Sequence, residues 1–178
     1  MQKNKLDFSN KLILCFYEGN AEKEILEILI ENDKIIINEG NLYSRVLHKR
    51  ICVKNIERKY LNIDVDEEIV ILRVIDSKKE QFNLSKPYSE LYKKNYKIVT
   101  SPEIEILVII MENDYSAFQK VKSNQKACEF CFKNYGYNKS KKREYIRNKY
   151  SVDQIVNAIK FYNKQDTGNE YNLFDLLK

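Results

Sequence analysis

Residues 69–80 read IVILRVIDSKKE. Six of the first seven are β-branched or leucine, and the run ends abruptly at Asp76. A near-continuous apolar run closing on a polar residue is the pattern of a strand buried on both faces, as in a parallel sheet. In open α/β sheets ligands bind just beyond the carboxyl ends of the strands. Asp76 is therefore delivered to the edge where chemistry collects.

Working outward, the chain repeats the pattern. Residues 11–17, KLILCFY, form a first strand that stops at Glu18-Gly19-Asn20. The following AEKEILEILIEND sets Ile25, Leu26, Ile28, Leu29 and Ile30 on a broad helical face, with Asn20 as its N-cap. Residues 34–38, KIIIN, read as a second strand, and residues 42–61 as a polar, helix-compatible segment. Residues 96–100, YKIVT, are another short strand. After it, Ser101-Pro102 signals a helix start, which would put Glu103 and Glu105 in the first helical turn. The β-branched ILVII within that segment also fits a strand. From Asp114 the spacing is helical: Gly136 breaks one helix and Ser151 caps another. The alternation predicts an α/β fold, a mostly parallel sheet flanked by helices, with a C-terminal helical cap. The expected division is a core over 1–112 and a basic extension over 113–178 packed on it.

The totals agree with a globular domain: 178 residues, 43% hydrophobic and 32% charged. Net charge is +5, but residues 117–150 hold ten Lys/Arg against Glu129 and Glu144, leaving the rest near −3. Such polarisation attracts polyanions. Lys139, Lys141, Lys142, Arg143, Arg147 and Lys149, interleaved with Tyr135, Tyr137, Tyr145 and Tyr150, form the candidate nucleic-acid-binding set. Cations can neutralise phosphates while tyrosines stack on bases. No signal peptide or membrane span is expected, which points to the cytoplasm and reduced cysteines. Cys128 and Cys131 make only half a zinc site, so they are expected to pack rather than bind zinc. His48, the sole histidine, is expected on the surface beside Lys49 and Arg50. The acidic turn at Asp64 and Asp66 reads as loop.

Glu18, Asp76 and Glu105 each follow an apolar strand and would share one sheet edge. Mg²⁺ or Mn²⁺ takes one or two carboxylates plus phosphate and water, and can promote phosphodiester hydrolysis. Phe16 to Leu26, FYEGNAEKEIL, resembles the first motif of Toprim domains, with Glu18-Gly19 as its acid and glycine. Asp76 matches the first acid of the family's second motif, Asp-x-Asp, while Lys78 stands in place of the second. Residues 100–110, TSPEIEILVII, are similar to a segment of the RloB/AbiL-like abortive-infection branch, with Glu105 as the glutamate. The resemblance spans about residues 10–112. It implies a Mg²⁺-dependent nuclease of anti-phage defence, cleaving RNA or DNA. Glu18, Asp76 and Glu80 would hold the metal, Glu18 and Glu105 would be catalytic, and a partner ATPase would control it. With Lys78 at the second position, the same resemblance equally implies a degenerate module that binds nucleic acid or that ATPase, with Lys78 on phosphate.

Overall fold

The computed structural model describes residues 4–62, 66–101, 103–138, 142–166 and 168–178. Strand β1 (Lys11–Tyr17) leads to helix α1 (Asn20–Glu31). Strand β2 (His48–Lys49) precedes helix α2 (Val53–Ile56), which runs on as a π-turn over Glu57–Leu61. Strand β3 (Glu68–Ile75), helix α3 (Lys86–Leu91) and strand β4 (Asn95–Val99) complete the sheet. Its order is β2-β1-β3-β4 and every pairing is parallel. The chain is thus α/β with a four-stranded parallel sheet flanked by helices.

Alternation along the strands divides the core. Ile13, Cys15, Val70, Leu72, Val74 and Ile98 face α1 and the C-terminal helices. Leu14, Phe16, Ile69 and Ile71 face Ile56 and Leu61 on the other side. Truncating one such fully buried leucine to alanine costs about 2–5 kcal/mol. The C-terminal part adds α4 (Ile106–Met111), α5 (Tyr115–Val121), α6 (Ala127–Tyr135), α7 (Lys142–Lys149) and α8 (Val152–Gln165). Phe118, Phe130, Ile146, Ile155 and Ile159 from these helices join the same core as β1 and β3. Ser151 caps α8 by accepting from Gln154 N–H, and Gly136 ends α6 in the left-handed region at φ 64°. No described helix is long and apolar enough to cross a membrane.

Several local expectations are corrected. KIIIN is no sheet strand: Ile35 bridges antiparallel to Leu177, and Ile36 N–H donates to Leu176 O at 2.8 Å. Ile35 and Ile37 are buried and Ile36 partly so, outside the sheet, so apolar content does not by itself mark a sheet strand. The place beside β1 goes to His48–Lys49, within the segment expected to be helical. The N-cap of α1 is Gly19, and Asn20 is already helical. Of the two readings of ILVII the helical one holds, since it forms α4. His48 is half-buried, 4.8 Å from the Tyr60 ring, and burial lowers its pKa.

Candidate active site at the carboxyl edge of the sheet

Strand order creates the site. From β1 the chain turns toward β2 through α1 on one face; from β3 it turns toward β4 through α3 on the other. Between β1 and β3 the connections diverge, leaving a crevice outside their carboxyl ends, where open α/β sheets bind ligands. The residues immediately after these two strands are Glu18 and Asp76.

They are brought into contact. Asp76 N–H donates to Glu18 Oε2 at 3.1 Å, which sets the Glu18 carboxylate beside Asp76. The Asp76 pKa is raised, first by burial, then by the neighbouring Glu18 carboxylate and by the charge of Glu103, with Arg50 opposing. Two carboxylates this close resist double ionisation, so the pair favours a shared proton or a bound cation.

Glu80 arrives beside the pair with its charge already met. Arg73, buried on β3, forms an ion pair with it and donates to Asn95 Oδ1 at 3.0 Å. The Arg73 guanidinium also lies 4.2 Å from the centre of the Phe82 ring. Arg50 spans the two acids, with Nη1 2.6 Å from Glu18 Oε1 and Nη2 3.4 Å from Glu80 Oε1. Glu105, the N-cap of α4, is instead buried in the interior, where its backbone carbonyl accepts from Cys131 Sγ at 3.6 Å. Glu103 takes the edge position: it lines a hollow with Asp76, and its Oε2 accepts from Cys128 N–H at 2.8 Å. Cys131 is buried in the core, and Cys128 Sγ lies 3.7 Å from Glu103 Oε1.

Glu18 and Asp76 fit the one or two carboxylates that Mg²⁺ requires. The buried pairing with Arg73 makes Glu80 a poor third ligand. Among the described residues, no three His, Cys, Asp or Glu side chains form a ready metal cage.

The basic set has a different location. Arg143 Nε donates to Glu24 Oε2 at 2.6 Å and Nη2 to Glu27 Oε2 at 2.9 Å. Arg147 pairs with Glu24 and with Glu31, the latter at 2.8 Å. Lys149 lies 2.5 Å from Glu112 Oε1 and 4.9 Å from the centre of the Tyr145 ring. These cations join α7 to the core. Lys139, Lys141, the side chain of Lys142, Asp64 and Pro102 lie outside the described residues. Lys78 is exposed, and its Nζ would lie 3.6 Å from a Cβ placed on Gly168, so the ammonium turns toward Gly168.

Sequence reasoning missed Arg50 and Glu103 as edge residues. Arg50 follows β2 directly, and a strand assignment for His48–Lys49 would have placed it. The α1–α7 pairing had a usable signal: Glu24, Glu27 and Glu31 share one helical stripe, matching Arg143 and Arg147 spaced by four. Comparison with protein-family models, curated proteins and solved structures finds no match to this chain.

Proposed function

We propose that this protein is a Toprim-like, Mg²⁺- or Mn²⁺-dependent phosphodiesterase acting on nucleic acid, with Glu18 and Asp76 as its central acids. The observation that carries this reading is the placement of these two acids side by side at the β1–β3 crevice, with Asp76 N–H donating to Glu18 Oε2. When bound, the divalent cation would supply Lewis-acid polarisation of the phosphate and a water of lowered pKa. Glu18 and Asp76 would hold it through their carboxylates. Arg50 neutralises Glu18 until substrate arrives and is long enough to move to a phosphate oxygen. The anti-phage role, the partner ATPase and the cytoplasmic setting rest on the motif resemblance alone.

The test is cleavage of end-labelled single-stranded RNA, single-stranded DNA and duplex DNA in Mg²⁺ and Mn²⁺. Glu18→Gln and Asp76→Asn should each slow cleavage about a hundredfold or more, the scale of losing one group that organises transition-state charge. Cleavage that survives both substitutions would refute the assignment. A second reading has an observation of its own: Arg73 and Arg50 meet Glu80, and Lys78 stands where the family pattern has an acid. On that reading the protein binds nucleic acid or a partner ATPase without cutting, and no metal restores cleavage.

A further inference from the structure

Two hollows flank the Glu18–Asp76 pair. The first, about 570 Å³, has Glu18, Arg50 and Glu80 at its polar side and Phe16, Ile51 and Phe82 among its apolar walls. The second, about 610 Å³, has Asp76 and Glu103 at one side, with Lys122, Lys126, Tyr115 and Gln119 among its other walls. Both fall within the roughly 300–1,000 Å³ of small-ligand sites. Glu18 lines one and Asp76 the other, and Asp76 N–H donates to Glu18 Oε2 at 3.1 Å, so the hollows lie on either side of this pair of residues.

We propose that these hollows receive two consecutive unpaired nucleotides, so that the substrate is single-stranded nucleic acid with the connecting phosphodiester over Glu18 and Asp76. This rests on the phosphodiesterase reading above. Three features support a single strand over a duplex. Each hollow is a recess that a base enters only when it is unstacked and unpaired. Each combines aromatic wall with hydrogen-bonding groups, Phe82 with Gln81 in the first and Tyr115 with Gln119 in the second. Cations stand at both: Arg50 in one, Lys122 and Lys126 in the other, the two lysines being exposed. Of the three acids of the second hollow, Asp76, Glu103 and Asp166, two are held in place by backbone donors. Glu103 accepts from Cys128 N–H at 2.8 Å, and Asp166 accepts from Gly168 N–H at 3.0 Å.

The experiment is fluorescence anisotropy with dye-labelled decathymidylate, decauridylate and a ten-base-pair DNA duplex, with Ca²⁺ replacing Mg²⁺ to hold turnover down. At least one single strand should bind ten times or more tighter than the duplex. The double variant Lys122→Ala/Lys126→Ala, altered only at exposed side chains, should weaken that binding. It should also lower the slope of log affinity against log salt by about 1.4, at roughly 0.7 per lost phosphate contact on a single strand. Duplex binding as tight as single-strand binding, or an unchanged salt slope in a variant with unchanged melting temperature, would overturn the proposal. Cleavage with duplex preference would overturn the strand path and leave the carboxylate assignment standing. Single-strand preference with a lysine-dependent slope but no cleavage in any metal would uphold the strand path and remove the phosphodiesterase reading.

Discussion

The seam between α1 and α7 and the carboxyl edge of the sheet are built from similar side chains, three carboxylates and two arginines each, paired differently. At the seam, Glu24, Glu27 and Glu31 face Arg143 and Arg147, and each carboxylate has a guanidinium partner. At the edge, Arg73 is spent on Glu80, Arg50 is divided between Glu80 and Glu18, and Asp76 sits beside Glu18 with its pKa raised. The seam satisfies itself and closes. The edge retains unmet negative charge beside two hollows, which is the condition for binding a cation or reacting. Richness in charge does not separate a site from a structural joint; the balance of partners does.

The largest expected effect breaks the seam. Glu24 has a side chain only 1% exposed, held between two arginines. The double variant Arg143→Ala/Arg147→Ala strands that carboxylate inside the protein, a change worth about 3–5 kcal/mol when a buried ion pair loses one side. Urea denaturation at neutral pH should show a loss of this order. Loss below about 1 kcal/mol would mean that Glu24 rehydrates readily and that α7 is only loosely held. Adding Glu24→Leu should recover part of the loss, because an apolar residue of similar volume removes the stranded charge.

The same contrast explains what could be read from the sequence. Strands β1 and β3 announce themselves locally, since strands buried on both faces need near-continuous apolar runs. Glu18 and Asp76 were legible for that reason: each is the first acid after such a run. The pairing of residues 34–38 with the C-terminal tail was not legible, because isoleucines look alike whichever partner buries them. Strand β2 is two residues of a polar segment and exists only because the β1 edge accepts it. Arg143 and Arg147 present the same local pattern to a phosphate and to a glutamate. Their partners lie more than a hundred residues away, and only the fold decides between them. Glu103 and Glu105 differ by two positions, and the start of α4 at Ile106 sends the first to the edge and the second inside.

A smaller effect sharpens the edge. The Glu18 side chain is 30% exposed and that of Arg50 38% exposed, so solvent can replace either partner. Arg50→Ala should therefore change stability by no more than about 1 kcal/mol. Because Arg50 competes for the charge of Glu18, its removal should also tighten Mn²⁺ binding, about three- to tenfold for a neighbouring charge near a protein surface. Paramagnetic resonance of free Mn²⁺ reads this without turnover. Unchanged or weaker Mn²⁺ binding would show that Arg50 and the cation do not compete for Glu18.

The smallest effect is the most specific to the edge, and it depends on pH. Folding raises the pKa of Asp76, so between the unfolded value near 3.8 and the higher folded value the native state holds more protons than the unfolded state. Stability contributed at this position is therefore greatest below the unfolded pKa and falls as pH rises through the folded pKa. Asp76→Asn removes that penalty. It should leave the melting temperature nearly unchanged at pH 3.5 and raise it at pH 7. The gain should stay below about 1 kcal/mol, since Asp76 is only partly buried, and correspond to roughly 2–4 °C for a chain of this size. Most of the penalty comes from burial and from the neighbouring Glu18, so Glu18→Gln should shrink the pH-dependent gain while leaving Asp76 in place. A melting temperature that rises equally at both pH values would mean that the substitution acts through packing and that the two carboxylates do not share their charge.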